Sequence, residues 1–388
     1  MSFVSIIGVV VFTYVVWFFA KEYNPIEKDL DWASYLFAKT AKWYMTMPFP
    51  PNSTLGFSVY RNLYDTMLIY PTKLLVATTP DLKKIDAGTI DVKIPVEFDG
   101  LITARIYNGH QPNSGKKGDL KPVLVWYHGG GMIIGSMEGA HGNSLKLANH
   151  TGYVVVNVDY RLAPEFTFPT PLNDAVTAFL WVEENIAKYG GNPKLLTIGG
   201  DSAGGYLATT VTARYLAKHV ENEKRKLNCD NVEETCPELT HLPSSNLKAL
   251  LDVYPCLNAT TESKEAALYT KTSGILPFEE MEWMRSHYQG SPVKDMKIRS
   301  HYWFSPTNTP VEILKFFPPT IFLFAKYDIL TQEGLEFMEK LKKVGVKTEK
   351  FWYESTIHGF YGIDFIPVGN LAIYETSTAL SRIVAQHY

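Results

Sequence analysis

The stretch "IGGDSAGGYL", Ile198 to Leu207, sets four glycines around one serine, Ser202, between the β-forming run "LLTI" and the helix-forming run "YLATTVTARYLAKH". Gly200, Ser202 and Gly204 fit the pattern G-x-S-x-G, which puts a nucleophile on a sharp turn from strand to helix. Glycine there leaves room for neighbouring backbone and costs little where φ is positive. The helix N-terminus that follows presents amide N–H groups to developing negative charge. A plainer reading makes this only a glycine-rich turn, so the rest of the chain must supply partners.

It does. In "YHGGGMIIG", His128, Gly129, Gly130 and Gly131 follow the strand-like run "VLVWY" directly. Glycines there free amides that, with the amide of Ala203, can face an oxyanion. No G-K-[ST] follows, so a phosphate cradle is disfavoured, and His128 reads as a residue that orders the loop. A serine nucleophile also needs a base and a group to orient it. Asp328 in "FAKYDILT" and His358 in "YESTIHGFYG" each follow a strand-like run, with Glu333 and Asp364 as competing acids.

Apolar runs alternate with helical patterns along the same stretch. "VLVWYH", "YVVVNVDY", "LLTIGG", "ALLDVYP", "TIFLFAKYD" and "TEKFWYES" read as strands, separated by segments such as "TPLNDAVTAFLWVEENIAKYG" and "TQEGLEFMEKLKKVG". This is an α/β pattern: a mostly parallel sheet covered by helices on both faces. "VKIPVEF" and "LITARIYN" flank Asp99–Gly100 as a hairpin. The alternation breaks between about 261 and 318, where Trp283, Met284, Tyr302, Trp303 and Phe304 suggest an insertion lying over the sheet. Residues 21–87 read as a linker with further cap elements, and 88–388 as the catalytic domain.

Together, "HGGG", "VDYRLAPE", "GDSAGG", "YD-x-L" and "HGF" resemble the hormone-sensitive-lipase family of α/β-hydrolases. With the hydrophobic N-terminus, the chain is most similar to that family's arylacetamide deacetylase and neutral cholesterol ester hydrolase branch. The resemblance implies an α/β-hydrolase fold with a helical cap. It also implies an acyl-enzyme mechanism with Ser202 as nucleophile, His358 as base and Asp328 orienting the imidazole. Gly129 and Gly130, with Ala203, would hold the oxyanion, while Gly131, Gly200 and Gly204 serve the backbone. The expected substrate is a small hydrophobic ester or amide. In "VDYRLAPE", Arg161 and Glu165 are expected to form charge-assisted hydrogen bonds that fix the loop beneath the site.

The first twenty residues, "MSFVSIIGVVVFTYVVWFFA", contain no charged side chain. As a helix they would span roughly 30 Å at ~1.5 Å per residue, enough for a bilayer. With no basic n-region and no small-x-small site before Lys21, a retained anchor is favoured over a cleaved signal peptide. Lys21 and Lys28 would put the catalytic side in the cytosol, whereas the resemblance implies the lumen of the endoplasmic reticulum. In a lumen, Cys229 and Cys236 could close a disulfide, and Asn52, Asn149 and Asn258 stand in glycosylation sequons. Cys256, in an apolar run, reads as a buried free thiol.

The 388-residue chain is 46% hydrophobic, carries a net charge of −3, and has only short, acid-mixed basic runs, so nucleic acid is not an expected partner. No H-E-x-x-H, paired C-x-x-C or G-x-G-x-x-G motif calls for a metal or organic cofactor. The rival reading is a non-catalytic binding module on a hydrolase scaffold. Such modules commonly lose the serine or histidine, and both are present here.

Overall fold

Lys121–Tyr127 forms a strand in which every residue from Pro122 onward is buried, as an apolar run without alternation demands of a strand covered on both sides. It is β3 of an eight-stranded sheet ordered β1-β2-β4-β3-β5-β6-β7-β8. The computed structural model describes residues 54–109, 119–226, 245–261 and 276–388. The strands are β1 Ile90–Val96, β2 Gly100–Asn108, β3, β4 Val154–Asp159, β5 Gly191–Asp201, β6 Leu247–Val253, β7 Thr320–Tyr327 and β8 Thr348–Ile357. All six runs read as core strands are realised, and β3 to β8 pair in parallel. Only β1 and β2 are antiparallel.

The helices are α1 Thr54–Thr78, α2 Pro80–Asp86, α3 His141–Thr151, α4 Thr170–Asn185, α5 Ala203–Lys226, α6 Phe278–Gln289, α7 Thr331–Lys343 and α8 Pro367–Val384, beside a few single turns. Val123, Val125 and Tyr127 face a layer built by Leu172 and Phe179 of α4, Leu207 and Val211 of α5, and Phe337 of α7. Leu124 and Trp126 face the opposite layer, with Leu82 of α2, Leu145 and Leu147 of α3, and Ile373 and Leu380 of α8. The strand period of two thus divides one apolar sequence between two cores. Because the central strands run in parallel, their C-terminal ends all open on one edge, where an α/β sheet gathers its chemistry.

One local expectation shifts. The β1–β2 hairpin turns one residue earlier than Asp99–Gly100: Phe98 and Asp99 carry the positive φ, at 63° and 51°, and Gly100 already pairs with Val96. In "VDYRLAPE", charge-assisted hydrogen bonds form as expected, with separate partners for Glu165 and for Arg161. Its Nε and Nη2 donate to Asp174 of α4 at 2.8 and 2.6 Å, and its backbone N–H to the same carboxylate. Glu165 instead receives Arg61 of α1 at 2.7 and 2.9 Å. Asp174 is buried and Glu165 is not.

Removing a buried partner leaves an uncompensated charge, whereas an exposed pair is worth little. Asp174→Ala should therefore destabilise the fold by about 3 kcal/mol. Glu165→Ala should cost about 1 kcal/mol or less. Urea unfolding of the two variants checks the order.

Candidate active site

β5 ends at Asp201 and α5 begins at Ala203, so Ser202 alone makes the turn. Its φ is +57°, a left-handed conformation uncommon for a side-chain-bearing residue. Its N–H donates to Val253 O of β6 at 2.9 Å and its carbonyl accepts from Tyr206 N at 3.1 Å. The positive φ thus falls on the serine, not on the glycines around it. The glycines are needed for space: a Cβ on Gly204 would lie 2.0 Å from Tyr127 O, and one on Gly200 would lie 2.4 Å from the Gly204 backbone. β3, β5 and α5 can meet only because both positions lack a side chain.

Asp328 and His358 follow β7 and β8 directly and arrive beside Ser202. His358 Nδ1 lies 2.7 Å from Asp328 Oδ2, and Nε2 lies 2.8 Å from Ser202 Oγ. With its proton on Nδ1, toward Asp328, the imidazole leaves Nε2 to accept from the serine hydroxyl. Asp328 is buried, and its Oδ1 also accepts from Leu330 N at 2.9 Å. The competing acids are engaged elsewhere. Glu333 accepts from Leu257 N at 2.7 Å and faces Arg285, while Asp364 binds Lys146. Burial raises the Glu333 carboxyl to about 7 against the pull of Arg285.

The glycine loop departs from expectation at one position. The Gly129 N–H donates to Asp201 Oδ1 at 3.1 Å, so that amide is already engaged. Gly130 and Gly131, with φ of 121° and 60°, line the same pocket as Ser202. Among the described residues, neither amide, nor that of Ala203, has a protein acceptor. His128 orders the loop as read: its Nδ1 lies 2.8 Å from Gly129 O, its ring stacks on Tyr160 at 4.4 Å, and its carbonyl accepts from Tyr160 Oη at 2.7 Å.

The pocket above Ser202 has a volume of about 120 Å³. Tyr64, Leu68 and Thr72 wall it from α1, Leu276, Met281 and Met284 from the insertion, and Ile363 from the loop after His358. The spacing of Tyr64, Leu68 and Thr72 at i, i+4 and i+8 is a one-face helical signal that the sequence carried and that could have nominated them. Met281 and Met284, with Tyr288, carry the same signal on α6 at i, i+3 and i+7, and the Met284 Sδ would lie 2.1 Å from a Cβ on Gly131, so it caps the glycine loop.

Of the remaining sequence candidates, Cys256 is a free thiol that burial pushes up to about 12. Asn149 is half-buried on α3, and Asn258 Oδ1 accepts from Thr260 Oγ1 of its own sequon at 2.6 Å while its Nδ2 donates to Thr261 Oγ1 at 2.8 Å. Asn52, Cys229, Cys236 and the apolar segment 1–20 lie outside the described residues. Among the described residues, no helix is long and apolar enough to cross a membrane, and no cluster of three His, Cys, Asp or Glu side chains is placed to hold a metal.

Asp201, next to Ser202, is raised to about 6 by burial, with His128, His358 and the Gly129 N–H pulling the other way. A carboxyl raised on folding binds its proton more tightly in the native chain. Its contribution to stability is therefore full below the unfolded value near 4 and is lost as pH rises through about 6. Asp201→Asn keeps an acceptor for Gly129 and has no proton to lose. Urea midpoints from pH 4 to 8 should show the wild type losing ground against this variant as pH rises; parallel curves would count against the burial argument.

The α/β-hydrolase fold family matches residues 124–362, a span holding the glycine loop, Ser202, Asp328 and His358. Lipase 2 of Moraxella sp. (strain TA144) is 30% identical over 272 residues, covering 68% of this chain and 60% of the relative. The chain thus spans about 60% of that lipase's length. The versiconal hemiacetal acetate esterase of Dothistroma septosporum is 29% identical over 273 residues, or 70% of this chain and 76% of that protein. Among solved structures, an esterase of Pyrobaculum calidifontis superposes with a TM-score of 0.70 at 27% identity, covering 91% of this chain and 98% of its own. A serine at a strand-to-helix turn, the strand ends that face it and these likenesses agree: the chain belongs to the α/β-hydrolase family, as a carboxylesterase-like member of it.

Proposed function

We propose that the protein hydrolyses small hydrophobic carboxylic esters through an acyl-enzyme on Ser202. The observation that carries this reading is the unbroken hydrogen-bonded line from Asp328 through His358 to Ser202 Oγ, at 2.7 and 2.8 Å. His358 Nε2 takes the serine proton as Oγ attacks the carbonyl, and Asp328 stabilises the imidazolium that forms. The carbonyl oxygen gathers negative charge where the amides of Gly130, Gly131 and Ala203 can donate to it. His358 then protonates the leaving alcohol or amine, and a water activated by the same imidazole releases the acid.

The pocket supports a small acyl group. A cavity of about 120 Å³ walled by Leu68, Leu276, Met281 and Met284 is in the size range of apolar cavities that take up a benzene ring. The relative from Dothistroma is named for an acetate ester. Both support short acyl esters with aryl or alkyl leaving groups, and the motifs that resemble the arylacetamide deacetylase branch add arylacetamides. Residues 1–20 would hold the enzyme at a membrane, placed by the same resemblance in the endoplasmic reticulum with the catalytic domain in the lumen. Such a placement suits substrates that partition into lipid.

Three variants test the mechanism on the membrane-bound protein. Ser202→Ala and His358→Ala should abolish labelling by a fluorophosphonate probe while leaving the fold intact. Asp328→Asn should lower kcat on p-nitrophenyl acetate by about 10⁴-fold, since the imidazole then loses its required tautomer. A wild type that neither labels nor turns over acetyl and butyryl esters would sink the mechanism and favour a non-catalytic binding role.

A further inference from the structure

Gly130, Gly131 and Met132 are three consecutive residues with positive φ, at 121°, 60° and 66°. The two glycines tolerate this, but Met132 bears a side chain and is strained there. A strained run keeps its shape only when its surroundings over-determine it. Part of the restraint is local: the N–H groups of Ile133 and Ile134 donate back to Gly130 O at 3.0 and 2.9 Å, and Ala163 N donates to Met132 O at 2.9 Å.

The rest comes from outside the catalytic core. Arg61 of α1 donates from Nε to Ile133 O and from Nη2 to Ala163 O, both at 2.7 Å, and grips Glu165 with Nη1 and Nη2. One planar guanidinium thus joins the far end of the strained turn to the segment that already ties Met132. The helix follows the same loop for two further turns. Asp65 hydrogen-bonds Ser136, and Thr72 Oγ1 fills the space where a Cβ on Gly142 would lie. The carbonyls of Ile133 and Ala163 need two donors held in a fixed fork, which lysine lacks.

We propose that Arg61 is a positioning residue for the oxyanion loop: a side chain from the helix preceding the hydrolase core sets where the amides of Gly130 and Gly131 point. This rests on the esterase reading above. Arg61 touches no reacting atom, so it acts on the transition state through the loop. A misplacement of about 1 Å at such donors can cost about 10²-fold in rate. The dependence also makes α1, a helix outside the sheet, part of what positions the oxyanion donors.

The test uses the full chain, with p-nitrophenyl acetate turnover and the rate of fluorophosphonate inactivation. Arg61→Met should lower kcat by about 10–100-fold, with KM within about twofold and inactivation slowed in parallel. Arg61→Lys should fall in between. Added guanidinium should partly restore Arg61→Ala but leave the wild type unchanged. If Arg61→Met does not fold, the lysine and alanine variants carry the same prediction. Wild-type kcat in Arg61→Lys and in whichever of the other two folds would overturn the proposal. So would a rise in KM with kcat unchanged, or a loss of kcat in Arg61→Ala that guanidinium does not touch. A wild type inert to both ester and probe would instead overturn the esterase reading itself.

Discussion

The approach of Gly204 to the carbonyl of Tyr127 is the contact on which the site depends. It lets α5 start against the end of β3, which holds Ser202 in a left-handed conformation at the junction. Any side chain at Gly204 would separate helix from strand, and the hydroxyl would no longer meet the imidazole carried by the loop after β8. The conformational cost at Ser202 is borne by the surrounding sheet: its N–H is fixed to β6 and its carbonyl to the first turn of α5. A strained nucleophile on a rigid frame needs little reorganisation to react.

The sheet was plain in the sequence because its strands are buried on both faces and read as unbroken apolar runs. "VLVWYH" and "TIFLFAKYD" allow little else at their length and between such helices. Ser202, Asp328 and His358 were equally accessible, since each sits at a strand end and function gathers there. What escaped were choices between equivalent partners. "VDYRLAPE" announces charged hydrogen bonds at Arg161 and Glu165 but does not name their partners, Asp174 of α4 and Arg61 of α1. Gly129, Gly130 and Gly131 are chemically identical in the sequence. Which amide turns away depends on where Asp201 lies, across β3 and β5, and no local pattern encodes that.

The walls of the pocket were the least legible part. Their residues come from α1 and from the insertion, two segments far apart in the chain that meet only over the strand ends. Their apolar side chains carry no chemical signature, so a methionine over a glycine loop looks in sequence like any core residue. The division of labour is physical. Parallel strands fix the reacting groups with high precision, while loosely patterned helices shape what may approach them. Among the described residues, charged groups near this apolar surround are drawn into pairs. Lys146 holds Asp364 and the carbonyl of Gly362 in the loop after His358, while Glu333 and Arg285 share a buried niche behind Cys256.

Ser202 and His358 are separated by 156 residues of sequence. On a ribosome adding roughly 5–20 residues per second, the serine turn emerges about 8–30 s before the base. Until β8 joins β7, the nucleophile has no group to take its proton, and the glycine loop faces an incomplete pocket. On the proposed mechanism the chain is therefore inert toward esters until β8 pairs with β7. A serine proposed to attack esters is thus armed only when its own fold is nearly closed.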